Sequence, residues 1–157
     1  MIKLSTTLEN SARTTVAATT SFLIARLSGL PEAYWAAILT LVIMQSSLGA
    51  TRKISGERFV GTLIGAIAGG LLAGSAMQVW LVFAIGVFLL GLVCALLRLE
   101  NSYRFAAITL AIVVLIPHTA SPWTVALHRF IEVSIGIVVG LAVCFVWSDP
   151  TTRPSGA

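Results

Sequence analysis

The chain has 157 residues, of which 57% are hydrophobic and only 10% charged, and its mean hydropathy is +0.97. A soluble domain carries about a quarter charged residues, so this composition excludes a globule coated in water and makes lipid the solvent. The net charge of +4 has no basic cluster interleaved with aromatics behind it, which excludes a nucleic-acid partner.

Met1 to Ser11 mixes Lys3 and Glu9 with polar residues and lacks a short apolar core before a small-residue cleavage site, so no cleavable signal peptide is expected. A spanning helix needs about 20 mostly apolar residues. On that basis the pattern predicts six. The first covers about 8–27 and ends at Gly29; the second covers about 31–45, with Pro31 in its first turn. The loop SSLGATRK follows, then helices over about 55–74, 77–97 and 102–116. The sixth, about 121–147, opens on Ser121-Pro122, an N-cap followed by a first-turn proline. The tail 148–157, SDPTTRPSGA, has no apolar face and is expected to be a disordered cytoplasmic segment. Cys94 and Cys144 both sit in apolar runs and read as small buried hydrophobes, not a disulfide or metal framework.

Lys and Arg near helix ends set orientation. Lys3, Arg52, Lys53, Arg98, Arg104 and Arg153 fall on one side and only Arg26 on the other, so both termini are expected in the cytoplasm. Trp80 and Trp123 would then mark the outer interface, and Trp147 and Tyr103 the inner one.

The chain repeats itself. RFIEVSIGIVVG from Arg129 echoes RFVGTLIGAIAG from Arg58, an offset of 129 − 58 = 71. Tyr34-Trp35-Ala36-Ala37-Ile38 likewise resembles Arg104-Phe105-Ala106-Ala107-Ile108. Helices two and three thus recur as five and six, while one and four match poorly. A repeat with an odd number of spans must be inverted. The expected fold is therefore an all-α membrane protein of six transmembrane helices in two inverted three-helix repeats, with any site near the midplane between them.

Such a repeat carries Arg58 and Arg129 toward the centre from opposite sides, each roughly 8–10 Å from its own surface at 1.5 Å per residue. Arg13, among Thr14, Thr15, Thr19 and Thr20, is a third intramembrane cation. The plain reading is snorkelling to the headgroups or pairing of Arg129 with Glu132 one turn on. The functional reading is that ionisable groups inside membranes face the bundle interior or a wet path. Gly61, Gly65 and Gly69, and again Gly136 and Gly140, form close-packing stripes on nearly the same faces as the arginines, which points both arginines inward. Glu132 balances an arginine or carries a proton; Glu57 is weighed in the same way. His118 reads as an interfacial loop residue, and His128 adjoins Arg129. Gln45, with Ser46 and Ser47, supplies a polar lining. No nucleophile–base set, phosphate loop, cofactor fingerprint or metal-ligand spacing occurs, so no enzyme activity and no cofactor are expected.

The run PEAYWAAILTLVIMQSSLGATRKISGERFVGTLIGAIAGG resembles the fusaric-acid-resistance (FUSC) family, which includes bacterial aromatic-acid exporters and is related to plant aluminium-activated malate transporters. The resemblance rests on Tyr34-Trp35-Ala36, on Gln45-Ser46-Ser47-Leu48-Gly49 and on Arg58-x-x-Gly-Thr-x-x-Gly. Arg129 and Gly136 resemble that family's last helix. Family members often have proline at the position of Ser46, and many exporters are longer, with two six-helix blocks and a soluble region. The resemblance implies pairing of two copies, as in the related dimeric malate channels.

The resulting expectation is a bacterial inner-membrane homodimer that moves organic anions, aromatic carboxylates among them. Its path would be lined by Arg58, Arg129, Arg13, Gln45 and Glu132. The competing class is a non-transporting membrane subunit that assembles with a partner protein.

Overall fold

The computed structural model describes residues 2–44, 48–117 and 119–147. Gln45, Ser46, Ser47, His118 and the tail 148–157 therefore lie outside the described residues. The described residues form six α-helices: α1 (Ile2–Leu27), α2 (Tyr34–Met44), α3 (Leu48–Leu72), α4 (Val79–Leu96), α5 (Glu100–Leu115) and α6 (Pro122–Val146).

Two of these helices, α4 and α6, are long and apolar enough to cross a membrane. α4 shows why lipid is needed. Val82, Gly86, Leu90 and Cys94 form its buried stripe, while Phe88, Leu92 and Leu96 project outward, with Phe88 73% exposed. A helix that is apolar on every face must be covered on every face, and here protein covers one. Phe145 on α6 and Leu71 on α3 are exposed in the same way.

α3 starts earlier than the polar run SSLGATRK suggests: the chain is already helical at Leu48. Polar residues there do not break the helix, because a helix end that extends beyond hydrocarbon can be wet. At the other end of the chain, Ser121 caps α6 by accepting a hydrogen bond from the Thr124 backbone N–H at 3.2 Å, with Pro122 in the first helical position.

α3 and α6 pack together at the centre of the bundle. α3 also packs on α5, and α6 packs on α2. On the flanks, α1 lies along α2 and touches α6, and α4 lies along α5 and touches α3. The close approaches are made by glycine. A Cβ at Gly65 would fall on the Ala106 carbonyl of α5, and one at Gly136 would lie 2.8 Å from the Ala36 carbonyl oxygen of α2. One turn further on, Gly69 faces Val113 and Gly140 faces Ile43. Both glycine stripes are therefore occupied within one chain.

The two flanking helices end alike. After α1, Gly29 has φ 75°, and the Leu30 amide bonds the Ala25 carbonyl at 3.2 Å. After α4, Arg98 has φ 56°, and the Leu99 amide bonds the Cys94 carbonyl at 2.7 Å. Both are left-handed C-terminal caps, but only the first uses the residue suited to that conformation. Gly29→Ala should lower stability by about 1 kcal/mol and Arg98→Gly should raise it by a similar amount. Thermal unfolding in detergent reads both.

Candidate functional site

The charged site lies where α2, α3, α5 and α6 meet. Their facing side chains enclose a cavity of about 50 Å³, enough for about three waters at roughly 15 Å³ each. Arg58 and Thr62 of α3 line it, with Phe105 and Thr109 of α5 and Arg129 and Glu132 of α6. Trp35 and Leu39 of α2, with Ile108, Ile112 and Val133, complete an otherwise apolar wall. The two arginines of the repeated phrase thus face one space.

Arg129 is 3% exposed, and Glu132 is fully buried. The Arg129 guanidinium pairs with Glu32, which stands just before α2, and its Nη1 lies 3.1 Å from Glu132 Oε2. The second contact is an ion pair without hydrogen-bond alignment, since neither Glu132 oxygen accepts a hydrogen bond among the described residues. The guanidinium lies over the Trp35 ring, 5.0 Å from its centroid, and Trp35 Nε1 in turn donates to Glu32 Oε2 at 3.1 Å. Arg129 is thus held by two carboxylates and an aromatic face. A buried charge needs such partners.

Arg58 is held differently. Its guanidinium lies 4.6 Å from the centroid of Phe105. Its Nε and Nη1 are buried without a hydrogen-bond partner, as are those of Arg129; the difference is that among the described residues no carboxylate forms an ion pair with Arg58. It sits ten residues beyond the start of α3, roughly 15 Å along the helix. Stacked on Phe105 and facing the cavity, it is not in the pose of a side chain reaching for headgroups.

The other sequence candidates separate. Arg13 does not line the cavity. Its Nη2 donates to Cys144 Sγ at 3.1 Å, and Cys144 donates on to Met44 Sδ at 3.5 Å. Glu57 also lies elsewhere, accepting from Asn101 Nδ2 at 2.8 Å. Gln45 falls outside the described residues. The residue of this cluster that the sequence reading missed is Glu32. Its one signal is an acid placed three residues before Trp35, at the entry of an apolar helix.

Apolar-surfaced helices around a pair of arginines that face one cavity are the pattern of a helical membrane protein with a charged interior site. The chain belongs to the fusaric acid resistance protein-like family, whose model matches residues 18–143. Its relatives include two proteins named uncharacterized transporter YdhK, one from Escherichia coli strain K12 and one from Escherichia coli O157:H7. Each is 32% identical over an alignment of 144 positions that covers 82% of this chain and 21% of the relative. The chain therefore spans about a fifth of the length of the curated relatives it matches. No solved structure matches it.

Proposed function

We propose that the protein moves organic anions, aromatic carboxylates among them, along a path that passes Arg58. The observation that carries this reading is an arginine that, among the described residues, no carboxylate pairs with, stacked on Phe105 at the edge of a largely apolar cavity. Arginine lining is a physical way for a pore to choose anions, and the apolar walls suit an apolar body behind the charged head. At about 50 Å³ the cavity holds a head group and little more, so passage requires the surrounding helices to part. Purified protein in liposomes should take up an aromatic carboxylate under an inside-positive potential; uptake no faster than in protein-free liposomes would refute the proposal.

The architecture proposed for this path is six spanning helices in two inverted repeats. It is supported by the exchange of contacts between α3–α5 and α6–α2, and between α1–α2 and α4–α5. We place both termini in the cytoplasm of a bacterium, with the protein in the inner membrane. In a cysteine-free background, cysteines introduced at Ser75 or Ala120 should react with an impermeant reagent from outside, and those at Lys53 or Arg98 should not. Labelling of position 53 from outside would reverse the orientation. A homodimer remains part of the proposal, on the ground that one six-helix block leaves broad apolar faces. Its interface must use faces other than the glycine stripes, which α5 and α2 already fill.

A further inference from the structure

Equivalent contacts relate the two arginines. Arg129 stacks on Trp35 and Arg58 on Phe105. Gly136 closes on Ala36 and Gly65 on Ala106; Gly140 meets Ile43 and Gly69 meets Val113. Every pair obeys one numbering rule: α2 positions map to α5 at 105 − 35 = 70, and α3 positions map to α6 at 129 − 58 = 71.

The same rule identifies what stands where the carboxylates of Arg129 would recur. Glu32 maps to Ser102 and Glu132 maps to Gly61. Ser102 is buried and carries no charge. Gly61 packs so tightly that even a Cβ would strike the Ser102 carbonyl, so no acid can be supplied from that position. Among the described residues, neither counterion of Arg129 has an equivalent at Arg58.

We infer that Arg58 alone is the anion site, and that Arg129 is the same site permanently occupied by the chain's own Glu32 and Glu132. The two residues that stand in place of those acids, Ser102 and Gly61, are its specificity determinants. Neutral Ser102 leaves the guanidinium to an external carboxylate, and Gly61 keeps α3 against α5 with no acid of its own. This inference rests on the anion reading above and adds to it the inequality of the two arginines.

The inference makes the site removable by a charge and transferable by charge removal. Ser102 lies in the first turn of α5, where a helix N-terminus favours an acid; because it is buried, the equally large neutral Ser102→Gln controls for the added bulk. By its equivalence to Glu32, the new carboxylate should reach Arg58 and displace a ligand. The probe is benzoate, titrated calorimetrically into the full chain in lipid nanodiscs. Ser102→Glu should weaken binding by about tenfold or more, the equivalent of one charge-assisted hydrogen bond. Ser102→Gln, of similar size but neutral, should stay within about threefold of the parent.

Arg58→Gln should abolish binding, and Arg58→Gln combined with Glu32→Gln and Glu132→Gln should restore it, now at Arg129. Size-exclusion profiles establish which variants are folded. Benzoate binding by Ser102→Glu equal to the parent's would overturn the inference, as would a folded triple variant that stays silent. If the triple variant does not fold, the Ser102 pair decides alone. A parent that binds no benzoate would instead refute the anion reading, and this inference with it.

Discussion

Replacing Gly65 or Gly136 by leucine is expected to prevent folding. At Gly65 the atom in the way is the Ala106 carbonyl, and at Gly136 it is the Ala36 carbonyl oxygen, 2.8 Å from where a Cβ would stand. Both obstacles are helix backbone and cannot rotate aside. The helices would have to separate, and in lipid their association rests on close packing, because tails solvate apolar side chains as well as a neighbouring helix does. The loss should be about 3 kcal/mol or more, at the upper end for overpacking. Gly56 is the control, since a Cβ there meets nothing within 4 Å. Gly56→Leu should give a normal monodisperse peak in detergent, and Gly65→Leu should aggregate or fail to accumulate. Normal folding of Gly65→Leu would mean that α3 and α5 do not touch as described.

Neutralising the two arginines is expected to have opposite consequences. Arg129→Gln removes the partner shared by Glu32 and Glu132 and leaves fully buried Glu132 uncompensated. Breaking a buried pair in this way costs about 3–5 kcal/mol, so this variant should be poorly folded. Adding Glu132→Gln should recover much of the loss, because the stranded charge goes with it. Arg58→Gln strands no carboxylate and relieves a costly cation, so its thermal stability should match or exceed the parent's. Equal destabilisation by the two substitutions would contradict the asymmetry.

The repeat made much of this arrangement legible before any coordinates. Arginine and glycine share faces of α3 and α6, and that alone points Arg58 and Arg129 into the bundle. The echo of Tyr34-Trp35-Ala36 in Arg104-Phe105-Ala106 makes α2 the counterpart of α5, and the packing of α3 on α5 accordingly has its match in that of α6 on α2. What the echo hides is its own exceptions. Glu132 against Gly61 and Glu32 against Ser102 are mismatches, and a comparison that scores likeness passes over them.

α1 and α4 look unrelated for a similar reason. They share a stripe of small or modest buried residues, Ala17, Ser21 and Ala25 in one and Gly86, Leu90 and Cys94 in the other, together with a left-handed cap at Gly29 and Arg98. They share few identities. An intramembrane arginine such as Arg13 suggests a path, but depth along a helix does not say which neighbour its face meets. That neighbour is Cys144 of α6.

The central claim is that Arg58 carries the anion, and flux tests it most directly. Liposomes holding equal amounts of folded parent, Arg58→Gln or Arg58→Lys are loaded to give an inside-positive potential at pH 8, and uptake of labelled benzoate is followed against protein-free liposomes. Arg58→Gln should fall by about tenfold or more, the loss expected when a charge-assisted contact is removed. Arg58→Lys should keep part of the rate, since it retains the charge but loses the planar fork that grips a carboxylate. If Arg58→Gln takes up benzoate as fast as the parent, Arg58 is structural and the account fails.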